Sequence, residues 1–127
     1  MFAIGHKPAY PSPLSTEGGF ASAANLDAVW TALEANHAEV MLSAHNHLWF
    51  KTKPSKTWQV IAGNGGSLRE SNVTGADAYY GFTLVHVSDA VTVTSYGRNV
   101  PAAGYLGDAP SAQYSTTIRD TFDVAWQ

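Results

Sequence analysis

Two histidines one residue apart, His45 and His47, interrupt an otherwise apolar run at residues 40–50. Side chains two apart on an extended chain point the same way, so both imidazoles can face one small region of space. Imidazole is the commonest metal ligand among protein side chains. Two buried imidazoles are costly to satisfy with ordinary hydrogen-bond partners, whereas one cation satisfies both. The pattern predicts a metal site at the end of a buried strand, although His-x-His also occurs on exposed loops.

His37 and His86 are better explained by structure than by chemistry. A lone histidine in an apolar run is more often a hydrogen-bonded core residue than a metal ligand, and we expect this structural role for both residues. The position of His86 in an alternating, β-rich run further favours a side chain that faces solvent. Neither residue is predicted to belong to a site.

Composition excludes several classes of function. The chain has 127 residues, 45% hydrophobic and 13% charged, which is enough for one core and too little for two domains. The formal charge of -3 and the absence of basic blocks argue against nucleic acid as a partner, because phosphate-backbone binding needs clustered Lys and Arg. The sequence has no cysteine, so a metal would be held by His, Asp, Glu, Asn or backbone oxygen.

Membrane association is not expected from the sequence. No apolar run approaches the roughly 20 residues that a membrane-spanning helix needs. The first residues lack the charged start and the long apolar stretch of a secretory signal. We therefore expect a soluble chain with no membrane partner and leave its location unknown, because a signal removed from a longer precursor would leave no trace.

One helix is predicted near the amino-terminal end. A first strand should end at His6, because prolines follow at positions 8, 11 and 13. Asn25 is the predicted helix cap, with Asp27 in the first turn, and the helix is expected to run to about Asn36. Its buried face is predicted to carry four apolar residues at helical spacing: Leu26, Val29, Trp30 and Leu33.

Strands are predicted to make up most of the remaining chain. Besides the central strand before His45, they are expected at residues 48–52, 58–62, 80–87 and 90–96, with an edge strand at 116–126. The glycine cluster at 63–66 lacks the Lys-Ser or Lys-Thr of a phosphate loop, so it is interpreted as a tight backbone passage near the site. The predicted fold is a layered α/β (α+β) sandwich with mostly antiparallel or mixed β-sheet and one main helix.

Taken in order, these segments resemble the carboxyl-terminal half of a calcineurin-like metallophosphoesterase, with the purple acid phosphatase branch the most similar. The resemblance rests on the helix around Trp30, on residues 4–10 and 80–82, and on two motifs. These are Leu-Ser-Ala-His-Asn-His at 42–47 and Ile-Ala-Gly-Asn-Gly-Gly at 61–66. The resemblance implies half of the metallophosphoesterase fold over about residues 2–96, with an irregular tail at about 97–127, in one domain spanning 1–127.

The resemblance also implies metal ligands. His6, followed by a proline after a strand, and His45 would bind one divalent ion, and His47 would bind its neighbour. Ala44 stands where the family motif has glycine. Zinc is the expected metal, with iron and manganese as alternatives. One ion held by all three histidines, with water in the fourth position, would be an open zinc site of the catalytic kind.

Three further residues lie near this expected site in chain order. Tyr10, Asn46 and Asn64 are candidate substrate contacts, and each has an equally good structural role in a turn. No general acid or other catalytic side chain is predicted.

Two functions follow as expectations from the resemblance. The first is metal-dependent hydrolysis of a small phosphate ester, of the phosphatase or phosphodiesterase type, through a metal-bound hydroxide. The family's Asp-x-His, Gly-Asp-x-x-Asp and Gly-Asn-His motifs match no stretch of the chain. The second is therefore a non-catalytic remnant or interaction module that keeps the scaffold and a metal. A chain with only half of the fold would expose an apolar face, so we expect a homodimer or a missing amino-terminal half.

Overall fold

Two β-sheets and one α-helix make up the part of the chain that the structure, a computed structural model, describes: residues 1–66, 69–99 and 115–126. A short 3-10 helix, Gly75–Asp77, precedes the second sheet. In chain order the other elements are β1 (Phe2–Ile4), α1 (Ala23–Ala35), β2 (Val40–Ser43), β3 (Trp49–Thr52), β4 (Trp58–Ala62), β5 (Tyr79–Val87), β6 (Val91–Asn99) and β7 (Thr117–Val124).

The first sheet is mixed and has the strand order β1-β2-β4-β3. Strand β1 pairs with β2 and β2 pairs with β4 in parallel, whereas β3 runs antiparallel to β4. The carboxyl ends of parallel strands meet at one edge of a sheet, which is where ligands bind in open α/β sheets. The segments that follow β1, β2 and β4 are therefore neighbours at this edge, and they carry His6, His45, His47 and the glycine cluster at 63–66.

The second sheet is antiparallel, with the order β5-β6-β7. It packs face to face on the first sheet, because alternate residues of both sheets meet in one apolar cluster. Its buried members are Val40 and Val60 from the first sheet and Val91, Val93 and Val124 from the second. The predicted α+β class, with mixed and antiparallel sheets and one helix, is confirmed.

Helix α1 covers the opposite face of the first sheet. Trp30 is buried there beside Met41 and Ala9, and its indole N–H donates to Ser55 Oγ at 3.1 Å. Val29 is exposed, so its predicted place on the buried face is wrong. No helix within the described ranges is long and apolar enough to cross a bilayer.

The predicted helix cap at Asn25 is also wrong. The N-cap is Ser22, whose hydroxyl accepts a hydrogen bond from the Asn25 N–H at 3.2 Å, and the helix begins at Ala23. Asp27 consequently lies beyond the first turn. Serine and asparagine side chains can both cap a helix, so residue type does not distinguish Ser22 from Asn25. The path of the loop before the helix determines which of them is the N-cap.

His37 ends the helix and is not a core residue. Its φ is +52°, and its N–H donates to Glu34 O at 3.1 Å while the Ala38 N–H donates to Leu33 O at 2.9 Å. This pair of bonds is the Schellman arrangement, which places the residue after the C-cap in the left-handed region. The side chains of His37 and His86 are both exposed, so the expectation of a hydrogen-bonded core residue is wrong for each. The exposure of His86 fits the solvent-facing position that strand alternation favours.

The strand predictions for residues 48–52, 58–62 and the 80–96 hairpin are confirmed. The predicted edge strand at 116–126 is observed as β7, which pairs with β6. The described parts of the predicted irregular tail therefore include two strand segments, the end of β6 and all of β7. The rest of that tail, residues 100–114 and 127, lies outside the described residues.

Candidate metal centre

Backbone hydrogen bonds hold His6 beside His45 at the edge of the first sheet. Beyond the last paired residues of β1 and β2, the Gly5 N–H donates to Leu42 O at 2.9 Å and the Ala44 N–H donates to His6 O at 3.0 Å. These two bonds join the segments that follow β1 and β2, outside the regular pairing of the strands. They hold the two histidines next to each other at the edge of the sheet.

His45 sits at the centre of a tight turn and not in a strand. Strand β2 ends at Ser43, the φ of His45 is +63°, and the Asn46 N–H donates to Ala44 O at 2.7 Å. A three-residue turn with positive φ at its centre is rare and strained for a residue with a side chain. The extended backbone assumed from the His-x-His spacing is therefore wrong, although both histidines do face one cleft.

The rings of His6 and His45 approach as two ligands of one ion would. His6 Nε2 lies 3.2 Å from His45 Nδ1, and the ring centroids are 5.0 Å apart at an interplanar angle of 73°. Two nitrogens bound at about 2.0–2.1 Å to one tetrahedral zinc ion are about 3.3 Å apart. The pair therefore fits one edge of such a coordination sphere. In the absence of metal, the same distance suits an N–H···N hydrogen bond between neutral rings.

The second ring nitrogen of His45 faces a carboxylate. His45 Nε2 lies 3.7 Å from Glu17 Oε2. Histidines that bind metals commonly direct their free ring N–H at a carboxylate, which fixes the tautomer and orients the ring. Glu17 lies in the loop before α1 and belongs to no sequence motif, so sequence reasoning did not identify it. Only the fold brings it to His45.

His47 lines the same cleft, which we call the histidine cleft, together with His6, His45 and Gly63. The cleft has a volume of about 560 Å³. Among residues 1–66, 69–99 and 115–126, no three His, Asp or Glu side chains are grouped so that they could hold one metal ion. The structure therefore brings two of the three predicted ligands into direct contact and leaves His47 nearby in the same space.

Gly63 makes the floor of the cleft possible. A Cβ built on it would lie 1.9 Å from the backbone oxygen of Asn46, inside any allowed contact distance. The Gly63 N–H also donates to Leu48 O at 3.0 Å. The predicted tight backbone passage is confirmed at this residue, where β4 leaves the sheet directly beneath the histidine turn.

Glu70 ties the two loops of the site together. Its carboxylate accepts hydrogen bonds from the Ser15 hydroxyl and from the N–H and hydroxyl of Thr16, and its own N–H donates to His47 O at 3.3 Å. Burial on its own would raise the pKa of Glu70, but these hydrogen bonds outweigh it and hold the pKa below the ordinary value of 4.5. The sequence did not predict a role for this carboxylate either, because it lies in an irregular segment.

None of the three predicted substrate contacts lines the histidine cleft. Tyr10 packs edge-on against Trp30 under the helix, with ring centroids 4.9 Å apart, and burial, then the charge of Asp27, raises its pKa.

The two asparagines are both fully enclosed. Asn46 uses its side-chain amide to fix the loop before α1, accepting from Ser12 N at 3.2 Å and donating to Glu17 O at 3.1 Å. Asn64 donates to Tyr79 O at 3.5 Å, and its Oδ1 has no hydrogen-bond partner among the described residues. A role for these residues in substrate binding stays a prediction.

No protein-family model matches this sequence, and no curated protein matches it. Among solved structures, wild-type Vps29 from Entamoeba histolytica, crystallised with Zn²⁺, is 14% identical with a TM-score of 0.47, covering 76% of this chain and 46% of that one. Vps29 from Chaetomium thermophilum is 12% identical with a TM-score of 0.49, covering 80% of this chain and 50% of that one. This chain thus spans about half the length of the Vps29 chains that it resembles.

Proposed function

We propose that this chain binds one divalent metal ion, zinc in the first place, between His6 and His45, and that it uses the ion to hydrolyse a small phosphate ester. The observation that carries the proposal is the 3.2 Å separation of His6 Nε2 and His45 Nδ1 at the carboxyl-terminal edge of parallel strands. The assignment to phosphate esters, and to the purple acid phosphatase branch, rests on the sequence resemblance.

Each residue of the cleft has a distinct part in this proposal. His6 and His45 hold the ion, and Glu17 orients the His45 ring from its other nitrogen. When bound, a divalent ion would polarise a phosphoryl oxygen and stabilise the charge that develops on it. His47 lines the same cleft, and its imidazole would be available to a phosphate oxygen of a bound ester. Gly63 leaves room for the backbone turn that presents these rings.

Zinc titration of the full chain tests the metal site directly. We expect one bound equivalent in the wild type and a loss of at least about tenfold in affinity in His45→Ala, because a ligand is removed. The matched control is His86→Ala, a change at an exposed histidine on the second sheet, which should bind zinc like the wild type. Equal zinc affinity in all three proteins would contradict the site.

Turnover of p-nitrophenyl phosphate and bis-p-nitrophenyl phosphate tests the chemistry. We expect a rate that a chelator abolishes, that added zinc restores and that His45→Ala lacks. Zinc binding without turnover of either ester would contradict the proposed hydrolase activity but not the proposed metal site.

A second candidate function is a non-catalytic module that binds metal and serves in assembly. It is favoured by one observation: only two ligand nitrogens come together within the described residues, so the chain by itself offers a minimal coordination sphere. The two candidate functions are about equally well supported. Zinc binding without turnover selects this second function, and a chelator-sensitive rate selects the first.

A further inference from the structure

A second cavity adjoins the histidine cleft and has no part in the metal chemistry. Its volume is about 360 Å³, and it is lined within the described chain by Gly65, Gly66, Tyr80, Phe82, Arg98 and Thr116, among others. We call it the β5 cavity. Its volume lies in the range of sites that hold small organic molecules.

The two spaces share two lining residues, both of them glycines. Gly65 and Gly66 line both the histidine cleft and the β5 cavity. A Cβ built on either glycine would meet nothing within 4 Å, so no side chain of the described residues fills the passage between them. A ligand with its phosphoryl group beside His6 and His45 can therefore extend past these glycines into the cavity.

The cavity wall is aromatic and cationic. Tyr80 and Phe82 project from the outer face of β5, and Arg98 lies opposite Tyr80 on β6. Phe82 is 57% exposed, and its ring stacks on Tyr96 with centroids 5.2 Å apart and an interplanar angle of 15°. Aromatic faces and a guanidinium plane pack favourably on flat, electron-rich rings.

We propose that the β5 cavity binds the planar aromatic group of a phosphate ester whose phosphoryl group lies in the histidine cleft. The proposal deepens the proposed function and rests on it for the position of the phosphoryl group. It makes the chain selective for aryl over alkyl esters. Phe82 is then a specificity-determining residue, and Gly65 keeps the passage open.

Binding of two phosphonates that resist hydrolysis tests the cavity without any need for turnover. Phenylphosphonate and methylphosphonate carry the same anionic group and differ in the ring. On the zinc-loaded full chain we expect phenylphosphonate to bind about tenfold more tightly or better, the ratio that burial of one aromatic ring supports. Phe82→Ala should remove most of this preference.

Leu84→Ala is the matched control for Phe82→Ala. Leu84 lies two residues further along the same outer face of β5 and is 50% exposed, but it does not line the cavity. Its substitution should leave the preference for the phenyl group unchanged. Equal effects of the two substitutions would overturn the proposal.

Gly65→Val tests the passage. Among the described residues the new Cβ meets no atom within 4 Å, so the unfolding midpoint should match the wild type. The preference for phenylphosphonate should fall towards that of Phe82→Ala. An unchanged preference in this variant would contradict the proposed route.

The same titrations without zinc separate this proposal from the proposed function. A preference for the phenyl group in a chain that binds no zinc would support the cavity and contradict the metal site. Equal affinity for the two phosphonates, including undetectable binding of both, would overturn the cavity assignment whatever the zinc content.

Discussion

At the scale of single residues, the candidate site concentrates backbone strain and polar contacts around His45. Its positive φ is a conformation that costs a side-chain-bearing residue of order 1–3 kcal/mol. The surrounding structure holds it there through the paired backbones of β1 and β2 and through the Asn46 amide, which fixes the neighbouring loop. In this conformation the His45 ring lies between His6 on one side and Glu17 on the other.

Glu17→Gln should weaken zinc binding by about tenfold, because the carboxylate charge 3.7 Å from His45 Nε2, which favours this orientation of the ring, is removed. Zinc titration measures this. Asp27→Asn makes the same change of charge at an exposed helix position and should leave the affinity unchanged. If both variants lose affinity equally, the effect comes from net charge and the assignment of Glu17 as a positioning residue is wrong.

Glu70 should make the free energy of unfolding depend on pH in acid. Its folded-state pKa lies below 4.5, so the unfolded state binds the proton more readily and the native state gains stability from the ionised carboxylate above that pH. This contribution is lost as the pH falls from about 4.5 towards the lowered folded-state pKa.

Denaturant unfolding of the wild type and Glu70→Gln at several pH values measures the effect. The wild type should be the more stable protein at pH 7, and the difference should shrink in acid. A difference that is constant with pH would show that the carboxylate charge contributes nothing to the loop contacts.

At the scale of elements, the site depends on how closely β4 passes beneath the histidine turn. The exit of β4 at Gly63 lies so close to Asn46 O that no side chain fits between them. The helix contributes indirectly, since it covers the far face of the sheet and ends the loop that carries Glu17. Strand order, and not helix position, therefore sets the geometry of the cleft.

Gly63→Ala should destabilise the protein by about 1–3 kcal/mol, because the methyl group forces the backbone of the histidine turn to move. Zinc affinity should fall with it. Gly18→Ala is the control, since a Cβ there meets nothing within 4 Å. Thermal unfolding and zinc titration of the two variants provide the comparison, and similar behaviour of both would contradict the tight passage.

At the scale of the whole molecule, apolar surface remains at one edge of the first sheet. Strand β1 is the outermost strand in the order β1-β2-β4-β3, and Ile4 at its end is 85% exposed. Unpaired edge strands with apolar side chains are sites of association, and a two-fold homodimer is the commonest result. The homodimer, expected as one alternative to a missing amino-terminal half, stays a prediction, and Ile4 is where we propose to test it.

Sedimentation velocity at micromolar concentration should show a dimer for the wild type and a shift towards monomer for Ile4→Lys, which places a charge in the contact. Val29→Lys introduces the same charge on the exposed side of α1 and should leave the dimer intact. A monomeric wild type under these conditions would contradict the homodimer.

Local pattern was sufficient to predict much of the fold. Strand β4, the β5–β6 hairpin and β7 were identified from alternation and turn residues, because the period of side chains along a strand is set within the strand itself. The His-x-His pair pointed to the cleft through its residue types, whereas the extended backbone assumed for it is replaced by a turn at His45. The cap at Ser22 and the exposed position of Val29 were missed because they depend on how the preceding loop and the sheet meet the helix.

Residue chemistry and side-chain period are local properties, so the amino-acid sequence was enough to mark the histidines with metal-binding chemistry and to locate most strands. The folded chain was needed to show that His6 meets His45, that Glu17 and Glu70 lie at the site, and that His47 lines the same cleft. These contacts join residues far apart in the chain, across parallel strands and loops. Their geometry is set by strand order and close packing, which no short stretch of sequence contains.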